Sequence, residues 1–192
     1  MEKNKLDNPV WHSLNETHKK FSLEYGGLKF YIPEYCPFGG FIKKDNLVKG
    51  INEHSALIKK FYTFGEKPLF SSKITLNKNL VCNQMLLEQS IGIKIVEPII
   101  ELKSATQKTD LSKLVNLVQP GYFKIKTSDL GTYFGIYKNG QLIAAAGERM
   151  KMDNFTELSA IVTHPEHTRK GYATQLIKIV TDKVFNLSLI HI

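Results

Sequence analysis

The chain has 192 residues and a mass of 21.8 kDa, with 42% hydrophobic and 23% charged residues. That is enough to build the core of one large or two small domains, and it excludes a disordered chain. No apolar run reaches the ~18 residues of a membrane span, and the charged start Met1-Glu-Lys-Asn-Lys-Leu-Asp7 lacks the apolar stretch of a secretory leader, so a cytoplasmic protein without membrane partners is expected. The net charge of +8 is spread as 14 Lys against 9 acids in residues 1–95 and 10 Lys plus 2 Arg against 9 acids in residues 96–192. With no basic block and so few arginines to grip phosphates or read base edges, specific nucleic-acid binding is the weakest of the available readings. Two cysteines, Cys36 and Cys82, exclude a disulfide scaffold and an all-cysteine zinc site, and both are expected as buried thiols.

In chain order, residues 1–95 read less clearly than the rest. They suggest a short helix over Trp11–Phe21, a strand over Leu28–Ile32, turns at Pro33, Pro37, Gly39 and Gly40, and an amphipathic helix over Glu53–Phe64. Residues Ile74–Leu87 fit neither a helical nor a strand period. Aromatics such as Trp11, Tyr31, Tyr35 and Phe38 are more naturally core than ligand contacts.

Residues 96–192 alternate cleanly. Ile95–Leu102 is β-branched and reads as a strand, with Pro98 directing it to an edge or bulge. Asp110 stands as N-cap of a helix whose Leu111, Leu114, Val115 and Val118 form one stripe, ended by Pro120-Gly121. Tyr133–Tyr137 is a strand, Asn139-Gly140 a hairpin turn, and Gln141–Met150 the returning strand. Its Ala144-Ala-Ala-Gly147 run has so little bulk that something must pack closely on it. After a turn at Asp153-Asn154, Phe155–Thr163 makes a third strand, and a polar loop leads to a helix from Gly171 with Ala173, Leu176, Ile177, Val180 and Val184 buried. Leu187–Ile192 reads as the start of a further strand.

The chemistry concentrates in Phe155-Thr-Glu-Leu-Ser-Ala-Ile-Val-Thr-His-Pro-Glu-His-Thr-Arg-Lys-Gly-Tyr-Ala173. A strand runs into a basic, glycine-containing loop and then a helix N-terminus, where free N–H groups and the helix dipole converge on an anion. A phosphate-bearing ligand suits it. The segment is neither a Walker loop nor a dinucleotide fingerprint. His164 and His167 make a poor metal pair, because Pro165 prevents a helical presentation and no further ligand cluster follows, so no metal is expected.

This segment resembles the cofactor motif of the GNAT superfamily of acyl-CoA N-acyltransferases, Arg/Gln-x-x-Gly-x-Gly/Ala, in the register Thr168-Arg-Lys-Gly-Tyr-Ala173. Thr168 departs from the Arg or Gln of that pattern. The longer string from Gly131 through Ala146-Gly-Glu-Arg-Met150 to Ala173, with Asn8–Leu14 and Pro33–Phe38, is similar to a branch of that superfamily with a divergent N-terminal half. The resemblance implies an α/β (α+β) fold, a GNAT-like mixed and mainly antiparallel sheet flanked by helices, with a divergent α/β region at 1–95 and the acetyltransferase domain at 96–192. It further implies that the N-terminal half is a decayed acyltransferase-like unit shaping the acceptor site.

The activity so implied is transfer of acetyl from acetyl-CoA to a primary amine, on a small molecule or a protein N-terminus, by direct attack in a ternary complex. Thr168, Arg169, Lys170, Gly171, Tyr172 and Ala173 would hold the pyrophosphate. Ile161, Val162 and Thr163 would pair with the pantetheine arm, with the N–H of Ile161 polarising the thioester carbonyl. Glu157 lies 14 residues before Gly171, the family spacing of a general base, and Glu148 on the neighbouring strand is its rival. No cysteine lies near the motif to form an acyl-enzyme. Members of the family continue past this helix with further strands and a helix, so the resemblance implies a domain incomplete at its C-terminus. That shortfall and Thr168 support the alternative of a catalytically impaired acyl-CoA-binding module or sensor.

Overall fold

The computed structural model describes residues 3–43 and 45–190. They form two compact units, Met1–Leu86 and Leu87–Ile192, each with its own sheet.

In the first unit, α1 (Pro9–Asn15) and a 3₁₀ turn over Lys19–Phe21 precede β1 (Ser22–Tyr25), β2 (Leu28–Tyr31) and β3 (Phe38–Phe41); α2 (Leu47–Ser55) and β4 (Tyr62–Phe64) follow. The sheet order is β1-β2-β3-β4, antiparallel except for the parallel pair of β3 and β4. Asn8 caps α1 through its Oδ1, and its Nδ2 donates to the carbonyls of Phe41 and Phe64 at 2.8 and 3.2 Å, so one buried amide joins a helix start to two strand ends. Leu28, Phe30, Phe41, Leu47 and Ile51 form the core.

Several sequence expectations fail in this unit. The helix expected over Glu53–Phe64 lies earlier, at Leu47–Ser55, because Leu47, Gly50, Ile51 and His54 supply the buried face, and Tyr62–Phe64 is a strand. Gly39 and Gly40 lie within β3, where a Cβ would come within 2.2 Å of the Phe30 ring and 2.8 Å of the Trp11 backbone. The turn Gly26-Gly27, with positive φ at both residues, joins β1 to β2. Tyr31 and Phe38 are core, as expected for aromatics, whereas Cys82 is exposed and outside regular structure.

In the second unit, β5 (Ile99–Glu101), β6 (Tyr133–Lys138), β7 (Gln141–Met152) and β8 (Phe155–Thr163) form an antiparallel sheet in that order. Helix α3 (Ala105–Val118) packs on one face and α4 (Tyr172–Ile190) on the other. The helix expected from Asp110 begins earlier because Ser104 and Gln107 make a capping box. Asp110 instead accepts a hydrogen bond from the Tyr137 hydroxyl at 3.0 Å, and burial together with this carboxylate pushes that phenol up to about 12. Residues 187–190 continue α4 instead of starting a strand, and His191 and Ile192 lie outside the described residues.

The Asn139-Gly140 turn has positive φ at both residues, 50° and 77°. The small run of β7 is packed on both sides. Ala144 and Ala146 meet Tyr172, Leu176 and Val180 of α4, Ala145 joins the α3 core, and the Tyr133 ring lies over Gly147. Ahead of β5, Ser90 donates to Asp182, and Gln175 accepts from the N–H groups of Val96 and Glu97. These bonds bring residues from Leu87 onward into the second unit, ahead of the boundary expected at 95/96.

Two expectations about stability follow. A Cβ at Gly147 would lie 2.3 Å from the Tyr133 ring and 2.6 Å from the Thr132 carbonyl, so Gly147→Ala destabilises by about 1–3 kcal/mol in denaturant unfolding. His54 stacks on Phe30 at 3.7 Å, and burial lowers its pKa from 6.5 to about 4. The unfolded chain therefore binds a proton that the folded one refuses. Stability is full above pH ~6.5 and falls, by on the order of 3 kcal/mol, as the pH drops toward 4. Chemical-denaturation curves of His54→Phe should lose that pH slope.

Candidate active site

The site is built on β7, β8 and the loop into α4. The register of β7 and β8 slips twice. Ala145 pairs with Val162 and Gly147 with Ser159, leaving Ala160 and Ile161 without cross-strand partners; a compensating slip lies between Glu148 and Lys151. Ala160 has φ of 50°, a left-handed conformation costly for alanine. Strict alternation puts Leu158, Ala160 and Val162 on one face, but the bulge separates them. Leu158 packs with the α4 cluster, whereas Ala160 and Val162 pack with the α3 cluster. Ile161 is consequently turned outward and 38% exposed, on the strand that ends the sheet order.

Beyond Thr163, a 3₁₀ turn over Pro165–His167 leads to Thr168–Gly171, all four exposed. Arg169 and Gly171 have φ of 63° and 75°, and no heavy atom lies within 4 Å of a Cβ built on Gly171. Left-handed residues alternating with others turn successive N–H groups toward one concavity, and the first-turn N–H groups of α4 add to it. Among the described residues neither Arg169 nor Lys170 has an ion-pair partner. These features suit a phosphate-bearing anion. The side chain of Tyr172 is buried and that of Ala173 half-buried, so both offer the site backbone more than side chain.

The two carboxylates differ sharply. Glu148 is fully buried and pairs with Lys183 of α4 at 2.8 Å and Lys151 at 2.5 Å, while Lys183 also donates to the Thr132 hydroxyl. Burial alone raises its carboxyl, but the two ammonium groups outweigh this and hold it below the ordinary carboxylate range. Glu157, on the opposite face of the hairpin, accepts from Arg149 at 2.8 Å through Oε1; its Oε2 is buried without a hydrogen-bond partner.

The resemblance pointed to neither Lys183 nor the Arg149 contact. The second depends on the register slip between Glu148 and Lys151, since regular pairing from the Asp153-Asn154 turn would set Met150, not Arg149, opposite Glu157. The first depends on where α4 crosses the sheet. His164 and His167 meet ring to ring at 5.7 Å, and no group of three or more His, Cys, Asp or Glu among the described residues is placed to hold a metal ion. No helix among them is long and apolar enough to cross a membrane.

Residues 101–192 match the family model described as "Acetyltransferase (GNAT) family". A solved GNAT-family protein from Novosphingobium aromaticivorans is similar in fold, with a TM-score of 0.66 and 22% identity over 93% of this chain and 80% of its own. A GCN5-related N-acetyltransferase from Kribbella flavida aligns over 50% of this chain and 39% of its own, with a TM-score of 0.39 and 16% identity. The search of curated proteins gives no significant match.

Glu148→Gln should destabilise the chain by about 3–5 kcal/mol, because it leaves Lys183 and Lys151 facing a neutral amide. In the parent chain the ionised Glu148 contributes stability above the ordinary carboxylate pKa, and this is lost as the pH falls through its lowered folded value. Thermal melts of the two proteins in increasingly acidic buffer should therefore converge.

Proposed function

We propose that this chain, whose residues 101–192 match the GNAT acetyltransferase family model, transfers an acetyl group from acetyl-CoA to a primary amine within a ternary complex. The reading rests on the Thr168–Gly171 loop, an exposed, doubly cationic turn with two left-handed residues directly ahead of a long helix. The backbone of Thr168–Ala173 binds the pyrophosphate, and Arg169 and Lys170 neutralise its charge. Ile161, Val162 and Thr163 offer strand backbone to the pantetheine arm. Val162 does so with its side chain committed to the core.

Acetyl-CoA supplies the activated acyl group as a thioester. The chain's part is proton management and orientation. Glu157 Oε2 receives a proton from the acceptor ammonium, since only a neutral amine is nucleophilic, and the Ile161 N–H donates toward the oxygen on which charge develops. Glu148 holds β7 to α4 and takes no proton. Acceptors are small amines or protein N-termini. Two cysteines outside any disulfide, one of them exposed, suit the reducing cytoplasm.

The alternative, a binding module of the same fold, is favoured by Thr168 at the first loop position and by the ion pair that occupies one oxygen of Glu157. Amine-dependent release of thiol from acetyl-CoA separates the two readings.

Calorimetric titration should give micromolar binding of CoA and acetyl-CoA. Gly171→Glu, which sets a carboxylate where phosphate lies, should weaken it by about 100-fold or more, about 2.7 kcal/mol. Gly171→Ala shares the backbone strain at φ 75° without the charge and should weaken it far less. Glu157→Gln should retain binding and lose roughly 10²–10⁴ in amine-dependent turnover.

A further inference from the structure

The two oxygens of Glu157 are not equivalent. Oε1 takes a hydrogen bond from the Arg149 guanidinium at 2.8 Å, while Oε2 is buried and lacks a hydrogen-bond partner. Both side chains are largely withdrawn from water, 15% and 26% exposed, so the pair is less screened than a surface ion pair. The backbone sets this geometry. The register slip between Glu148 and Lys151 re-aims Arg149, and Glu148, one residue earlier, is anchored to Lys183 on the α4 face. Arg149 is therefore held across β8 from a strand that cannot rotate without breaking a buried ion pair.

We propose that Arg149 is a positioning residue that fixes Glu157 through Oε1 and reserves Oε2 for the acceptor's proton. This deepens the acetyltransferase reading and rests on it. A guanidinium suits the role because it keeps its charge at any working pH and its planar Nη2 donor meets Oε1 from one fixed direction, which a freely rotating lysine ammonium does not. In the step, an N–H bond of the acceptor ammonium breaks and an O–H bond forms at Oε2. The electron pair stays on nitrogen as the lone pair that attacks. Without Arg149 the carboxylate is free to rotate about its last torsions, and Oε2 loses its aim.

The test compares two probe nucleophiles with acetyl-CoA at neutral pH: n-butylamine, which is protonated and needs a base, and methoxyamine, which is already neutral and does not. In Arg149→Met, turnover with n-butylamine should fall roughly 10-fold or more while methoxyamine turnover and acetyl-CoA binding hold; Arg149→Lys should fall in between, and Glu157→Gln should show the same selectivity. Adding Arg149→Met to Glu157→Gln should cost nothing further, because both act through one proton transfer.

Equal losses with both nucleophiles in Arg149→Met and Arg149→Lys, each shown folded by its melting curve, would make Arg149 merely structural and overturn the inference. Unchanged n-butylamine turnover would overturn it equally. If the parent chain binds acetyl-CoA and turns over neither nucleophile, the acetyltransferase reading itself fails and takes this one with it.

Discussion

The half of this protein that carries the candidate site depends on one irregularity, the bulge at Ala160 and Ile161 in β8. A left-handed alanine costs about 1–2 kcal/mol, and here the surrounding core bears that cost. In return the strand turns over: residues before the bulge present Leu158 to α4, and residues after it present Ala160 and Val162 to α3. Without the slip, either Leu158 or the Ala160–Val162 pair would face the wrong layer. The same slip exposes Ile161 at the edge of the sheet order, and the compensating slip between Glu148 and Lys151 leaves Glu157 across from Arg149.

That arrangement is possible only because β7 is nearly devoid of side-chain volume. Ala144, Ala145 and Ala146 allow helices to approach from both faces, and Gly147 allows the Tyr133 ring to cross the strand. The penalty of so slight a strand is weak intrinsic packing. The buried Glu148 offsets it with a polar tie, linking β7 through Lys183 to α4 and through Thr132 to the entry of β6. Gln175 ties α4 in turn to the chain entering β5. Helix α4 thus carries the cationic loop at its N-terminus and grips the sheet along its length, so the loop and Glu157 belong to one mechanical unit.

The two glutamates show how environment divides roles between identical side chains. Glu148 has both oxygens committed to ammonium groups and serves as an anchor. Glu157 has one oxygen committed and one left over. The family resemblance nominated Glu157 by its spacing, with Glu148 as the rival on the neighbouring strand, and only the count of partners at each oxygen separates them. In the first unit, His54 follows the same logic. Its stacking on Phe30 and contact with Tyr25 make it a neutral core residue, sensitive to acid because burial opposes its charge.

Taken alone, the sequence determined what short-range physics controls. Asn139-Gly140 specified a hairpin because both residues tolerate positive φ, the Ala144–Gly147 run demanded close packing, and strand, basic loop and glycine before an apolar stripe marked a loop running into a helix start. It also supported the family resemblance, since that resides in linear motifs. Where strict alternation was assumed, along Glu157–Thr163, the reading failed, because a bulge is selected by the fit of two helix layers and leaves no local mark. The helix over Leu47–Ser55 escaped for a similar reason: its buried face is Leu47, Gly50, Ile51 and His54, and a glycine and a histidine count as apolar only once Tyr25, Leu28 and Phe30 surround them. Tertiary structure alone decided which glutamate is anchored and which retains an uncommitted oxygen, because that depends on where Lys183 and Arg149 arrive from elements distant or oppositely directed in the chain.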